Sequence, residues 1–415
     1  MNVHLTKQEK YWVLYDVGNS AFTLLVSTIM PIYFNHLAST AGLSDVDYLA
    51  YWGYAASIST LLVAILGPVF GTMADYKGFK KPIFLAFLAV GAVGCISLGF
   101  ARQWLAFLII YVIAKVGYSS SLIFYDSMLP DVTEPDRMDN LSSLGYAWGY
   151  IGSCLPFVLC LVPVLFAEKL GMTMASAMML AFCITAGWWV CMSLPLVKTY
   201  HQKHYVARHP GAVVATFSRL WNTLKNAKKE KKVFLFLLAF FFYIDGVYTI
   251  IDMATAYGSA LGLDSTGLLL ALLVTQIVAF PFAILFGRLA KNHSSEKLIS
   301  ICIMAYFGIA VFAIFLQSQW QFWMLAVMVG MFQGGIQALS RSYFTRIIPP
   351  EQSGEYFGLL DICGKGAAFL GTTIVSVVTQ LTGSMSTGVG MIAILFVIGF
   401  VLFRMAAKCE AAIRH

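Results

Sequence analysis

Charge is what this sequence has little of. Aspartate, glutamate, lysine and arginine make up 11% of its 415 residues, whereas 59% are hydrophobic. Soluble domains carry about 25% charged residues. A water-exposed globule of this composition would present wide apolar patches and aggregate, which argues against a soluble enzyme and makes lipid the expected solvent. The mean hydropathy of +0.78 agrees. Other absences narrow the reading. No GxxxxGK[ST] phosphate loop occurs, which argues against an ATP-driven pump in this chain. None of the eight cysteines forms a CxxC pair and seven fall inside apolar runs. They read as small buried hydrophobes, and no metal, disulfide or cofactor is expected. All seven histidines fall outside the predicted helices, leaving proton transfer within the membrane to carboxylates. The first apolar run begins at Tyr11 and lacks a small-residue cleavage site, so it reads as a helix and not as a signal peptide.

What the sequence does contain is a series of continuous apolar runs, such as Pro281–Phe286 and Ile392–Phe403. A transmembrane barrel would alternate apolar and polar positions, whereas a spanning helix needs about 20 apolar residues. The runs predict an all-α polytopic membrane protein of twelve helices, over residues 11–34, 50–73, 81–101, 104–129, 142–167, 174–197, 233–257, 266–289, 298–316, 321–347, 356–380 and 386–406. One connection is long. The chain therefore divides into a six-helix half at 1–197, a basic linker at 198–232 and a second half at 233–415. If both termini face the cytoplasm of a cell whose plasma (inner) membrane holds the chain, 22 of the 27 basic residues lie on that side and only Arg102 and Lys169 on the other. That bias sets the orientation. The net charge of +7 then meets anionic membrane lipid. The linker reads as a solvated segment, too short and irregular for nucleic acid, and no nucleic-acid partner is expected. Trp12, Trp52, Trp104, Trp320 and Trp323 lie near helix ends and read as interfacial anchors.

An internal repeat relates the halves. Leu129-Pro130, Gly145 and Gly152 recur as Ile348-Pro349, Gly364 and Gly371 at one constant offset. Both copies lie on the same side, so the halves are parallel repeats about an axis along the membrane normal, the architecture of the major facilitator superfamily. The loop between helices 2 and 3 carries Gly71, Asp75, Gly78, Lys80 and Lys81 in the pattern G-x-x-x-D-x-x-G-x-K-K. This resembles the superfamily's signature gate loop. Gly71 permits close packing, Gly78 a tight turn, and Asp75 suits a neighbouring helix N-terminus; the two lysines suit acidic groups across the same face. The second half reads Gly287-Arg288-Leu-Ala-Lys291, with lysine in place of the aspartate, so its gate is expected to be degenerate. Further strings resemble the vacuole-effluxer-like branch. They are Tyr15-Asp16-Val-Gly-Asn19 in helix 1, Tyr125-Asp126 ending helix 4, Tyr243-Ile-Asp245-Gly246 in helix 7, Gln333 to Phe344 in helix 10, and Gly364-Lys365 in helix 11. That branch joins bacterial transporters to a fungal autophagy-related vacuolar amino-acid exporter. Gly18 stands where alanine is common, and the long extra segments of fungal members are missing.

Ionisable groups inside a bilayer are costly and mark functional candidates. Away from their cytoplasmic ends, the predicted helices hold Asp16, Lys115, Asp126, Asp245, Asp252, Arg341, Asp361 and Lys365. Asp16, Asn19 and Thr23 share one helical face, for cavity lining or for packing. Asp245 falls near the midplane of helix 7 and is the leading solute or proton site, with an ion pair as the alternative; Asp252, on the same face, suits an outer gate equally. Gln333, Gln337 and Arg341 form a polar stripe. Arg341 needs a carboxylate, from the solute or from Asp126 or Asp361, and its depth favours gating, where Asp126 also belongs. Asp361 and Lys365 are one turn apart and pair. Lys115, beside the hydroxyl run Ser119–Ser121, could hold an anion or pair structurally.

These features predict a secondary transporter, a monomer moving a small polar solute by alternating access with protons as the candidate coupling ion. The resemblance implies amino-acid-like cargo. A lipid-like or sugar solute, a non-transporting sensor and a membrane-embedded enzyme are the competing readings.

Overall fold

The computed structural model describes residues 5–43, 45–207, 230–260 and 262–409. These hold twelve helices long and apolar enough to cross a membrane. They are α1 (Lys7–Thr40), α2 (Asp45–Ala74), α3 (Lys80–Leu98), α4 (Trp104–Ser127), α5 (Met138–Leu165), α6 (Met174–Thr199), α7 (Lys231–Ala260), α8 (Ser265–Leu289), α9 (Ser295–Ile314), α10 (Gln319–Ile347), α11 (Ser353–Thr382) and α12 (Met385–Lys408).

Each predicted run is a helix, but several extend further. The polar first and last turns project beyond the hydrocarbon, so an apolar count misses them. α1 starts four residues early because Thr6 and Glu9 form a reciprocal capping box. It continues to Thr40 through a widened π-turn at Leu25–Ile29. Pro31 has no N–H to donate four residues back and its ring crowds that carbonyl; Met30 N instead donates to Leu25 O, five residues back. His36 thereby falls inside α1, on its exposed end, and not in a loop. α11 ends at Gly383, whose φ of +67° supplies the left-handed cap.

Buried apolar side chains form two clusters. One draws on α1 to α6, with Trp12, Phe22, Tyr33, Phe182 and Trp189 among its largest members. The other draws mainly on α7 to α12, around Phe236, Tyr243, Tyr306 and Phe396, and also takes in Val63, Val116 and Ile123 from the first half. A pseudo-two-fold relation is visible in atomic detail. Tyr15 of α1 and Ser121 of α4 share a hydrogen bond of 2.7 Å, and Tyr243 of α7 and Ser340 of α10 share one of the same length. The halves meet through α2 with α11, α5 with α8 and α10, and α4 with α11. Many large apolar side chains elsewhere face outward, among them Val93, Phe100, Leu165 and Leu381, as a lipid-facing surface requires.

The linker departs from expectation. Lys198 lies in the last turn of α6, and Lys231 and Lys232 begin α7. Residues 200–207 are not a solvated strand of chain but dock on the α2–α3 loop, with Tyr76 and Val206 bridged in parallel. Residues 208–229 lie outside the described residues.

Candidate functional site

A cavity of about 390 Å³ lies between the halves. Thr23 of α1, Ser59 and Thr60 of α2, Lys115, Ser119 and Asp126 of α4, and Tyr146 of α5 line one side. Tyr248 of α7, Gln337 and Arg341 of α10, and Asp361 and Lys365 of α11 line the other. Its walls thus carry three cations and two carboxylates. Lys365 donates to Asp361 at 2.5 and 2.6 Å, the expected one-turn pair. The Lys115 ammonium lies 5.5 Å from the Tyr118 ring centroid, and Tyr118 O–H shares a 2.5 Å hydrogen bond with Thr23.

Arg341 is the floor. Its Nη1 donates to Asp126 at 2.8 Å and Nη2 to Asp16 at 3.4 Å. Its Nε reaches Ser142 Oγ at 2.8 Å, and Nη2 reaches the Ser142 carbonyl at 3.0 Å. The guanidinium is sandwiched between Trp12 and Tyr146, at 4.6 and 4.3 Å from their centroids. Arginine offers five donors in a fixed fork and stacks on aromatic faces, so one side chain of α10 engages α1, α4 and α5 at once. Asp361, the other partner considered, is taken by Lys365. Trp12 is therefore no interfacial anchor; it is fully buried as a platform for Arg341. Gly145 is required here, because a Cβ would sit 3.1 Å from both Arg341 Nη2 and Trp12 and closer still to Asp16.

Further contacts between the halves lie beyond this floor, toward the face that bears both termini. Asp75 accepts from Gly354 N at 2.8 Å and Glu355 N at 3.0 Å, capping the N-terminus of α11. A Cβ on Gly354 would lie 2.6 Å from the Gly71 carbonyl oxygen, so this approach needs glycine. Gly78 turns the loop with φ +80°. Lys80, fully buried, donates to Ser353 Oγ of α11 at 2.8 Å and to Ser127 O at 3.1 Å. Its ionic partner, Asp131 at 3.6 Å, belongs to its own half and not to the opposite one. Lys81 is half-buried beside His201 and Gln202 and has no ion pair among the described residues, so the basic pair does not act as one latch.

The second half is not left without a counterpart. Lys291 replaces the expected aspartate, but Asp139, in the first turn of α5, accepts from Arg346 Nη1 at 2.7 Å and Ser295 Oγ at 2.8 Å, and from the Ser342 hydroxyl. The loop keeps its lysine in place of the aspartate, and a contact between the halves is supplied from Asp139, at another position. Neither Asp139 nor Arg346 stood out in the sequence, because each lies at a helix end where a charged residue is ordinary.

Other candidates stand apart from the cavity. Asp16 does not line the cavity; its carboxylate is held by Arg341 and Asn19. Asn19 donates to Tyr15 O at 3.0 Å and Asp16 Oδ1 at 3.3 Å and is buried. Gln333 is buried, whereas Gln337 lines the cavity and accepts from Tyr150 at 3.3 Å. Asp245 is buried against α11, its Oδ1 accepting from Gly371 N at 2.9 Å and Thr249 Oγ1 at 3.2 Å. Val17 occupies the related place in the first half, where it would meet a Cβ on Gly152. No ion pair joins Asp245 among the described residues. The side chain of Asp252 lies outside the described residues. Asp131 and His204, which meet at 3.0 Å, were missed, because Asp131 follows the Leu129-Pro130 repeat without standing out and His204 counted only as a linker histidine.

Two six-helix halves around a charged central cavity, latched at one face, define a transporter of the major facilitator type. The fold matches that of the human organic anion transporter MFSD10 (TETRAN), with a TM-score of 0.72 over 96% of this chain and 100% of that one at 13% identity. It matches FucP in the outward conformation with a TM-score of 0.71 over 97% and 99%, at 14% identity. The chain belongs to the family described as Vacuole effluxer Atg22 like, which its residues 6–414 match. The protein described as uncharacterized MFS-type transporter YxiO of Bacillus subtilis (strain 168) is 43% identical over 407 residues, 97% of this chain and 95% of the relative. Autophagy-related protein 22 of Coccidioides immitis (strain RS) is 24% identical over 441 residues, covering 85% and 72%.

Proposed function

We propose that this chain is a secondary transporter that carries a small zwitterionic solute, amino-acid-like in charge, by alternating access coupled to protons. The observation that carries this reading is the cavity at the interface of the halves, whose walls carry Lys115, Arg341 and Lys365 together with Asp126 and Asp361, so that both signs of charge face the space a zwitterion would fill. With both termini in the cytoplasm, as the distribution of basic residues supports, the latched face is the cytoplasmic one and the cavity faces outward. The halves 1–197 and 233–415 are then the bodies that rock, as a monomer in the cell's plasma membrane. Asp245 is the candidate proton carrier, because its Oδ2 is buried with no hydrogen-bond partner among the described residues and so has room for a proton where α7 meets α11.

The test is thermal unfolding of the purified protein across amino acids, organic acids, sugars and lipids, since a binder stabilises the native state by mass action. Stabilisation by amino acids is expected; stabilisation by sugars or lipids alone refutes the cargo class. In proteoliposomes Asp245→Asn should abolish pH-driven flux with the unfolding midpoint unchanged, and undiminished pH dependence would remove Asp245 from the coupling role.

A further inference from the structure

Asp131 lies in the short helix Leu129–Val132 between α4 and α5 and is fully buried. Four donors converge on it from the start of the linker. Tyr200 O–H donates at 2.5 Å, Lys203 N at 3.1 Å, His204 N at 2.8 Å, and the His204 ring meets it through Nδ1 at 3.0 Å. The next residues grip the gate loop. Gln202 Nε2 donates to Ala74 O at 3.0 Å, and Gln202 Oε1 accepts from Gly78 N at 3.0 Å. Val206 N donates to the carbonyl of Asp75 at 2.8 Å, and Lys77 N donates to Val206 O at 3.3 Å. One short segment therefore ties Asp131 to the backbone of the residue that caps α11.

We propose that residues 200–207 form a strap that holds the gate loop in its closing shape, and that the charge on His204 sets how firmly the strap holds. The charged groups facing His204 are Asp131 beside it, Lys80 beneath it and Glu351 in the turn before α11. Its hydrogen bond to Asp131 holds its pKa above the usual histidine value, with burial opposing, Asp131 and Glu351 charges aiding and Lys80 opposing. Asp131 is shifted the other way: burial alone would raise it, but Lys80, His204 and Tyr200 together hold it below the usual carboxylate value. The sign follows. His204, with its folded pKa raised, contributes fully below about pH 6.5 and loses its contribution as pH rises through the folded value. The neutral ring can still donate through Nδ1–H, so the strap loosens with rising pH and does not detach. His204 is thus a positioning residue that acts through Asp131 and the loop on the Asp75 cap.

The proposal rests on the alternating-access reading for the meaning of closure, but its test needs no solute and no flux. Hydrogen–deuterium exchange of the purified full chain, corrected for intrinsic pH dependence, reports the strap through the amides of Lys203, His204 and Val206, and the gate through those of Gly354 and Glu355. Expected is a several-fold loss of protection in both sets together between pH 6 and pH 8.5, and in His204→Gln a protection that is already reduced at pH 6 and flat with pH. A flat wild-type profile, or a pH response confined to residues 203–206 while 354–355 stay constant, overturns the proposal. Failure of the solute screen with these exchange results intact would refute the cargo reading and leave the strap standing.

Discussion

Arg341→Gln tests the latch most directly. The substitution keeps a donor but removes the cation, leaving Asp126 and Asp16 without theirs. Removing one partner of a buried ion pair costs about 3–5 kcal/mol. The Asp126 side chain is 26% exposed and that of Asp16 9%, so solvent relieves part of the penalty and about 3 kcal/mol is appropriate. Because Asp126, Asp16 and Ser142 stand across the interface from Arg341, this stabilisation exists only while the face is closed. At about 1.4 kcal/mol per factor of ten, the closed-to-open ratio should fall more than about a hundredfold. Spin labels at Glu134→Cys and Asn292→Cys, two exposed loop positions in opposite halves near the closed face, read this as a distance distribution, with the exposed Cys183 and Cys191 replaced by serine. A second, longer population should appear in Arg341→Gln. If a folded Arg341→Gln protein gives the wild-type distribution, Arg341 contributes equally in both states and is a structural residue only.

Two further outcomes follow from the same geometry. Arg346→Gln should shift the same distribution less, by about 1–2 kcal/mol, because its side chain is 25% exposed and Asp139 keeps its two serine donors; a shift larger than that of Arg341→Gln would reverse the ranking of the latches. Gly371→Val should lower the unfolding midpoint, since its Cβ would press on Asp245 and Thr249 at an overpacking cost of about 1–3 kcal/mol. Gly364→Ala, whose Cβ would meet Phe240 at an ordinary 3.4 Å, should leave it nearly unchanged, and equal effects at the two positions would contradict the α7–α11 packing.

Helix number and the two-half plan were legible because a bilayer imposes them: each crossing needs a long apolar run, and every backbone donor must be satisfied within it. Asp75 was legible for a similar reason, since its loop pattern serves one task, capping a helix across the interface. The Asp361–Lys365 pair was legible because it is local, one turn of a single helix. Arg341 was legible as a charge in need of partners, but not which partners, because Asp126 and Asp16 stand 215 and 325 residues away in sequence and only the packing of α1, α4 and α5 against α10 chooses them over Asp361. Asp245 shows the limit most plainly. Its depth along α7 was readable at 1.5 Å per residue. The rotation that turns its carboxyl toward Gly371 and away from the cavity is set by α11.

The sequence by itself determined the solvent, the number of crossings, the repeat and the set of buried charges, because each follows from composition or from spacing along one helix. Tertiary structure alone decided which charges line the cavity, which close its floor, that Asp139 and Arg346 replace the missing aspartate, and that His204 of an apparently loose linker rests on Asp131. Those choices are contacts between residues far apart in the chain, and their energies depend on burial and direction, which no single segment encodes.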